Sequence, residues 1–428
     1  MPRKTKPVRI ERKYSPETLM MSLGYDPTRS EGAVKPPIFP VSTYAFPNVA
    51  AGKKAFQQAI GNIKKTPKDA LLYGRFNHPD MQIFEERLAA CEGKGAEACA
   101  AFSSGMAAIF STLFAFLKPG EIVLHSDPLY GGSDGLLKKL LFDRMDISSI
   151  GFTHKECSQE ILEKVHSFQK TTGPRRVSAI LVETPANPTN ALFSLAICKF
   201  LKRHFDVPLI VDNTFLGPLF QKPLEHGADI VAYSCTKYIG GHSDLIAGAC
   251  LGSSPLIEKI RKVRGMTGDM LDPFTAWQLL SRLETLHIRM ERQNQSALKI
   301  AKFLKNHEKI SHVYYPGLLD YRIPASQLSI YLAQCTGGGG VISFDVAGGG
   351  SAAETFLDEL ARTEIVKLAV SLGSTESLAQ LPYSMTHAGV DAEAKKRLDI
   401  TEAMVRLSIG LEKVDDLIYV LDESLKKV

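Results

Sequence analysis

From Asp80 onward the apolar residues recur at steps that separate helix from strand. Met81, Phe84, Leu88 and Cys91 follow one another at three- and four-residue intervals, the spacing of one helical face. Beyond them, short unbroken apolar runs at 122–124, 179–182, 209–211 and 230–232 read as buried strands. Between the second and third of these, Ile197, Phe200, Leu201 and Phe205 fall on one side of a helix. Strands that are apolar on both faces and alternate with helices predict an α/β fold with a mainly parallel, doubly covered sheet. After about residue 270 the alternation gives way to long helical patterns, such as 276–304. Antiparallel-looking strands follow at 340–346 and 404–409. The pattern therefore predicts a large domain over 76–275 and a smaller C-terminal α+β domain over 276–428. Residues 1–75, with Pro36, Pro37, Pro40 and Pro47 and little periodicity, read as an extended arm. An arm of this kind lies across something else, here a neighbouring subunit.

The predicted strand ends carry the candidate chemistry, because open α/β sheets bind ligands beyond the carboxyl ends of their strands. The run 179–182 leads into Glu183-Thr184-Pro185-Ala186-Asn187-Pro188. The run 209–211 ends at Asp212-Asn213-Thr214, and 230–232 leads to Tyr233-Ser234-Cys235-Thr236-Lys237. Singly, each has an ordinary reading, such as a helix cap for Asp212 or a solvated charge for Lys237. Together they meet the needs of one cofactor, pyridoxal 5'-phosphate. It requires a lysine to hold its aldehyde, a carboxylate for its pyridinium nitrogen and donors around its phosphate. Ser234 and Thr236 flank Lys237, and Gly105 and Met106 follow Ser104 at a predicted helix start. Backbone N–H groups at such a start face an anion.

Composition narrows the alternatives. The chain has 428 residues, 44% hydrophobic and 23% charged, the proportions of a soluble globular protein with sizeable cores. A net charge of +5 is small for this length and argues for neither nucleic acid nor a membrane surface. Seven scattered cysteines with no Cys-x-x-Cys pair speak against a disulfide framework and for a reducing compartment. The basic N-terminus, six Lys and Arg against one Glu in the first 13 residues, is followed by no apolar signal core. The apolar stretch 98–117, interrupted by Ser103-Ser104-Gly105, reads as a buried loop and helix. A cytoplasmic location is expected. His125, His242 and His387 lack metal-ligand spacing on one helix, so no metal is expected, and Cys235 should point away from the cofactor. No Gly-x-Gly-x-x-Gly follows an early strand, which excludes the dinucleotide fingerprint.

The run 234–244, Ser-Cys-Thr-Lys-Tyr-Ile-Gly-Gly-His-Ser-Asp, resembles the cofactor-lysine motif of the Cys/Met-metabolism, or trans-sulfuration, enzymes. Residues 72–79 (Leu-Tyr-Gly-Arg-Phe-Asn-His-Pro), 183–189, 371–378 (Ser-Leu-Gly-Ser-Thr-Glu-Ser-Leu) and 406–410 (Arg-Leu-Ser-Ile-Gly) resemble further motifs of that family, in the same order. The resemblance implies a fold type I, aspartate aminotransferase-like architecture. It also implies roles. Lys237 would hold the aldehyde and shuttle protons, Asp212 would face the ring nitrogen, and Asn187 would lie near the ring hydroxyl. Tyr130 would stack on the ring and serve as acid or base. Gly105, Met106, Ser234 and Thr236 would bind the phosphate, while Tyr73 and Arg75 would reach that of the neighbouring subunit. Arg406, with Ser371 and Asn187, would grip the substrate α-carboxylate. A homotetramer of two active dimers is implied.

The implied reaction is elimination or replacement at Cγ of a sulfur amino acid. Val370 precedes Ser371, as in methionine γ-lyases, where cystathionine enzymes of the family often carry Glu. The expected activity is therefore methionine γ-lyase-like, yielding 2-oxobutanoate, ammonia and a thiol. Cystathionine γ-synthase and cystathionine γ-lyase are the alternatives. Gly132 departs from the Cys that bacterial methionine γ-lyases often have after Tyr-Gly. A non-catalytic scaffold on the same fold would need none of Lys237, Asp212, Tyr130 and Arg406 together.

Overall fold

The computed structural model describes residues 14–59, 62–63, 70–318 and 325–428; the basic N-terminus lies outside them. Seven strands form the larger sheet: β1 (Ala98–Phe102), β2 (Ile122–Ser126), β3 (Ser148–Phe152), β4 (Val177–Glu183), β5 (Leu209–Asp212), β6 (Ile230–Ser234) and β7 (Gly248–Gly252). Their order is β1-β7-β6-β5-β4-β2-β3. β7 runs antiparallel to both its neighbours, and the pairs among β2 to β6 are parallel. Separate apolar clusters cover the sheet. One holds Ile180, Val182 and Val211, and another holds Ala179, Leu181 and Ile210. These clusters contain alternate residues of the same strands, the arrangement of a sheet buried on both faces. Ile180, Leu181 and Val182 are at most 1% exposed, and burial of each contributes roughly 1.5–3 kcal/mol.

Three sequence expectations change in detail. The stretch 98–117 begins with strand β1 before the helix Gly105–Phe114. Ala-Cys-Ala-Ala-Phe lacks the β-branched residues that mark a strand in sequence. Phe200 belongs to the helix Leu195–Phe205 but faces outward, the buried side being Leu195, Cys198 and Leu201. The arm is not wholly extended: it contains helices Pro16–Ser22 and Val49–Ala59. Leu19, Met20 and Leu23 join Met81 and Phe84 in the core of the larger domain. A helix of two turns is too short to announce itself by periodicity.

The second sheet has strands β8 (Ile310–Tyr314), β9 (Val341–Val346), β10 (Lys367–Leu368), β11 (Leu378–Gln380) and β12 (Met404–Ser408), ordered β10-β11-β12-β9-β8. The helix Leu286–Lys305 links the domains, giving Met290 to the first core and Ala297 to Leu304 to the second. Polar contacts dock the two sheets. Asn190 Nδ2 donates to the carbonyls of Tyr314 (2.9 Å) and Val341 (3.1 Å), and Ser343 Oγ donates to that of Pro188 (2.5 Å). The Glu183–Asn190 turn is thereby held from the smaller domain. No helix among the described residues is long and apolar enough to cross a membrane.

Candidate active site

β4, β5 and β6 lie side by side and parallel, so Glu183, Asp212 and Ser234 emerge at one end of the sheet. Asp212 accepts the N–H (3.0 Å) and hydroxyl (2.6 Å) of Thr214 on one oxygen. That hydroxyl in turn accepts the N–H of Ser234 at 2.9 Å. Burial raises the proton affinity of Asp212, against the two bonds from Thr214. A cation beside its second oxygen would restore the ionised form.

The helix Gly105–Phe114 starts against β6. A Cβ on Gly105 would stand 2.9 Å from the Ser234 Cβ and 3.0 Å from its Cα, so only glycine allows this approach. Ser104 caps the helix by accepting the Ala107 N–H at 3.0 Å. The N–H groups of Gly105 and Met106, at the positive end of the helix, remain for an anion.

Lys237 Nζ donates to Ser371 Oγ at 2.7 Å. Burial first, then the charge of Arg406, lowers its pKa from 10.5 to about 8. The turn that brings Ser371 here is conformationally demanding. Ser371 has φ 97° and Gly373 has φ 77°, and a Cβ on Gly373 would lie 2.7 Å from the Tyr238 N atom. Arg406, in the middle of β12 and 3% exposed, donates to Asn187 Oδ1 (2.9 Å) and to the Ser371 carbonyl (2.8 Å). With its amide oxygen turned towards Arg406, Gln380 on β11 also accepts from the guanidinium, at 3.1–3.2 Å. Burial lowers the Arg406 pKa to about 10. The guanidinium stays charged at neutral pH and gains from a carboxylate partner.

The Tyr130 side chain is 45% exposed, but its backbone is anchored. Its N–H donates to Glu183 at 2.7 Å, and the other Glu183 oxygen accepts the Asn187 N–H at 2.9 Å. Burial and the carboxyl of Asp212 raise the proton affinity of Glu183. Gly132 leaves the Tyr130 ring its space, since a Cβ there would stand 2.6 Å from a ring carbon and 3.0 Å from the Met106 sulfur. His387, lowered to about 4 by burial and by Arg406, is neutral and accompanies the arginine without competing for an anion.

The structure thus gathers Gly105, Met106, Tyr130, Asn187, Asp212, Ser234, Lys237, Ser371 and Arg406 at one end of the sheet. Val370, adjoining Ser371, is 54% exposed. The Thr236 hydroxyl donates to the Ala247 carbonyl at 3.2 Å and accepts the Ala247 N–H at 3.0 Å, so its bonds are local. Tyr73 and Arg75 are not brought to Lys237 of their own chain. Arg75 donates to the Gly265 carbonyl and lies 4.6 Å over the Phe76 ring, while Tyr73 is 41% exposed. Cys235 is wholly buried in the core. Sequence reasoning missed the roles of Thr214, Gln380 and the Glu183 carboxylate. The Asp-x-Thr spacing carries a signal for Thr214; nothing local marks Gln380.

This donor set fits pyridoxal phosphate. It offers a lysine amine of lowered pKa, a half-buried carboxylate with one oxygen unused, and a helix start with two N–H groups to spare beside Ser234. Comparison with known proteins agrees. Residues 17–426 match the family described as Cys/Met metabolism PLP-dependent enzyme. The L-methionine gamma-lyase of Pseudomonas putida is 36% identical over 407 residues, 94% of this chain and 95% of that protein. The cystathionine gamma-lyase of Bacillus subtilis is 36% identical over 96% of this chain and 99% of its own length. The crystal structure of cystathionine gamma synthase from Xanthomonas oryzae pv. oryzae in complex with cystathionine superposes with a TM-score of 0.84 at 32% identity, covering 97% of this chain and 98% of the other. The strand-end lysine, the carboxylate and the helix start thus sit in a chain that belongs to the Cys/Met metabolism family of PLP-dependent enzymes.

Proposed function

We propose that this enzyme is a carbon–sulfur lyase of the methionine γ-lyase kind. It converts methionine and water to 2-oxobutanoate, ammonia and methanethiol. The observation that carries the reading is the double use of Ser371, whose hydroxyl accepts from Lys237 while its carbonyl accepts from Arg406. A substrate whose α-carboxylate is seated on Arg406 therefore presents its Cα beside the lysine amine. Pyridoxal phosphate, when bound, supplies an electron sink for the pair left at Cα. Asp212 would keep a positive charge on the ring nitrogen favourable, and the helix start at Gly105 and Met106, with Ser234, would hold the phosphate; Thr236 would join them once its hydroxyl leaves the Ala247 carbonyl. Lys237 would hold the aldehyde of the cofactor, and as a neutral amine it would take the α-proton of the substrate. Tyr130 gives a proton to the departing sulfur. Asn187 orients Arg406 and would be the residue nearest the ring hydroxyl.

Val370 selects the leaving group. Its apolar surface suits a thioether methyl and offers a distal ammonium no charged or hydrogen-bonding protein partner. Relatives named for cystathionine cleavage and for cystathionine synthesis, from Bacillus subtilis and Mycobacterium bovis, keep those activities as the alternatives. The missing side chain at Gly132 is the feature that separates this chain from many methionine enzymes. Tyr73 and Arg75 serve the site of a neighbouring copy in an active dimer, two of which form a tetramer, and the enzyme works in the cytoplasm.

One preparation assayed in parallel with L-methionine and L-cystathionine tests the assignment by 2-oxobutanoate release and free thiol. Faster release from methionine, with methanethiol, is expected. Val370→Glu should shift the ratio of kcat/KM values towards cystathionine by roughly tenfold, the effect of one hydrogen-bonded charged contact. An unchanged ratio removes Val370 as selector, and release from cystathionine alone moves the assignment to cystathionine cleavage.

A further inference from the structure

Glu183 stands between the two halves of the site without facing substrate in either. Its residue is 5% exposed and paired in register with Asp212. The Glu183 N–H donates to Ser126 Oγ at 2.9 Å, so the stem of the side chain starts from a fixed point. Its two oxygens then go separate ways, one to the N–H of Tyr130 and one to the N–H of Asn187. Those N–H groups belong to segments 53 and 4 residues away along the chain. Asn187 passes the constraint on, because its Oδ1 accepts from Arg406.

We propose that Glu183 is a positioning residue that fixes Tyr130 and Asn187 to each other, and through Asn187 sets Arg406 relative to the tyrosine. The inference rests on the assignment of Tyr130 as acid and Arg406 as carboxylate grip, and gives those two groups a common reference. An uncoordinated shift of either by an ångström would separate the seated α-carboxylate from the departing sulfur and its proton donor, a displacement that costs rate heavily. Both carboxylate oxygens accept main-chain donors, and these bonds favour the ionised form against the burial that raises its proton affinity. Glutamine keeps the shape but can accept only one of the two bonds, because its NH2 group would face the other N–H.

Glu183→Gln holoenzyme should remain folded. Its kcat should fall and its KM for methionine should rise, each by roughly tenfold, the scale of one hydrogen bond to a carboxylate. Binding of L-norleucine, which has the α-carboxylate but no γ-sulfur to lose, should weaken by a similar factor in a titration followed by cofactor absorbance. The visible circular dichroism of the bound cofactor should change as the tyrosine ring moves. A folded Glu183→Gln protein with kcat, KM, norleucine affinity and dichroism all at parental values overturns the proposal, as does lowered thermal stability with those four unchanged. Tyr130→Phe and Arg406→Lys, measured alongside, keep the two ideas apart. If neither shifts the kinetics, the roles assigned to the site fail. If both shift them and Glu183→Gln does not, only the coupling fails. Should Glu183→Gln not fold, hydrogen exchange on the unaltered holoenzyme decides. A common slow rate for the Tyr130 and Asn187 amides supports the coupling, and fast exchange at either amide overturns it.

Discussion

The chemistry of Lys237 turns on where its amine is placed. In a polar loop the side chain would hold its proton up to pH 10.5. Burial and the neighbouring Arg406 charge bring that point down to about 8. The sign follows directly: the folded site disfavours the cation, so the neutral, nucleophilic amine predominates above about pH 8 rather than above 10.5. Reconstitution of cofactor-free protein with pyridoxal phosphate should therefore speed up with pH about a midpoint near 8. A midpoint near 10.5 would show that Arg406 and burial do not act on the amine. The identity of Lys237 was legible in its motif, but the lowered pKa was not. It comes first from burial and then from a guanidinium on β12 of the other domain, and no local pattern reports a charge so distant along the chain. The same holds for Glu183. It sits inside a recognisable motif, yet its function depends on a Tyr130 N–H that the motif does not contain.

Elements set the next level of precision. The helix Gly105–Phe114 starts beside Ser234 only because residue 105 has no Cβ, the nearest Ser234 atom to that position lying 2.9 Å away. Gly105→Ala should push the helix start away from β6 and weaken pyridoxal phosphate binding on the order of tenfold, since both the N–H bonds and the helix dipole weaken with distance. A spectroscopic titration of the cofactor-free variant measures this, and an unaltered dissociation constant would contradict the role given to the helix. The central strands β4, β5 and β6 were readable because a strand buried on both faces must be apolar throughout. β1 and β7 were not, being built largely of Ala, Gly and Cys. Small residues there make room for the helix start, so the steric need that builds the site also erases the strand signal. Arg406 illustrates the reverse case, a charged residue buried mid-strand, where Gln380 and Ser343 flank it across the sheet.

For the whole molecule the test is assembly. Tyr73 and Arg75 lie away from their own Lys237, and Arg75 spends one bond on the Gly265 carbonyl. If each serves a neighbouring copy, Lys237→Ala and Arg75→Ala proteins should both be nearly inactive alone. Mixed under conditions that exchange subunits, they should recover roughly a quarter of parental activity, since half the random dimers are hybrid and each hybrid holds one intact site. Recovery absent from a mixture proven to exchange would place Arg75 outside the neighbouring site. The division into two domains is bridged by the helix Leu286–Lys305 and by the Asn190 and Ser343 bonds. Motion of the smaller domain would thus be transmitted straight to the Glu183–Asn190 turn.

The sequence alone pointed to the cofactor and to Asp212, Ser234 and Lys237 as candidate anchors, because each of these stands at or just beyond the end of a strand whose apolar run is written in consecutive residues. It also determined the family, through ordered motifs spread over most of the chain. Tertiary structure alone decided which groups meet. Lys237 and Ser371 are 134 residues apart, and Arg406 and Asn187 are 219 apart. Their distances depend on how two separately formed sheets dock, a balance of packing and buried hydrogen bonds that no single stretch of chain encodes. The same docking placed Arg406 near Lys237 and lowered its pKa, and strand pairing in the larger sheet gave the Glu183 carboxylate two backbone donors from different loops.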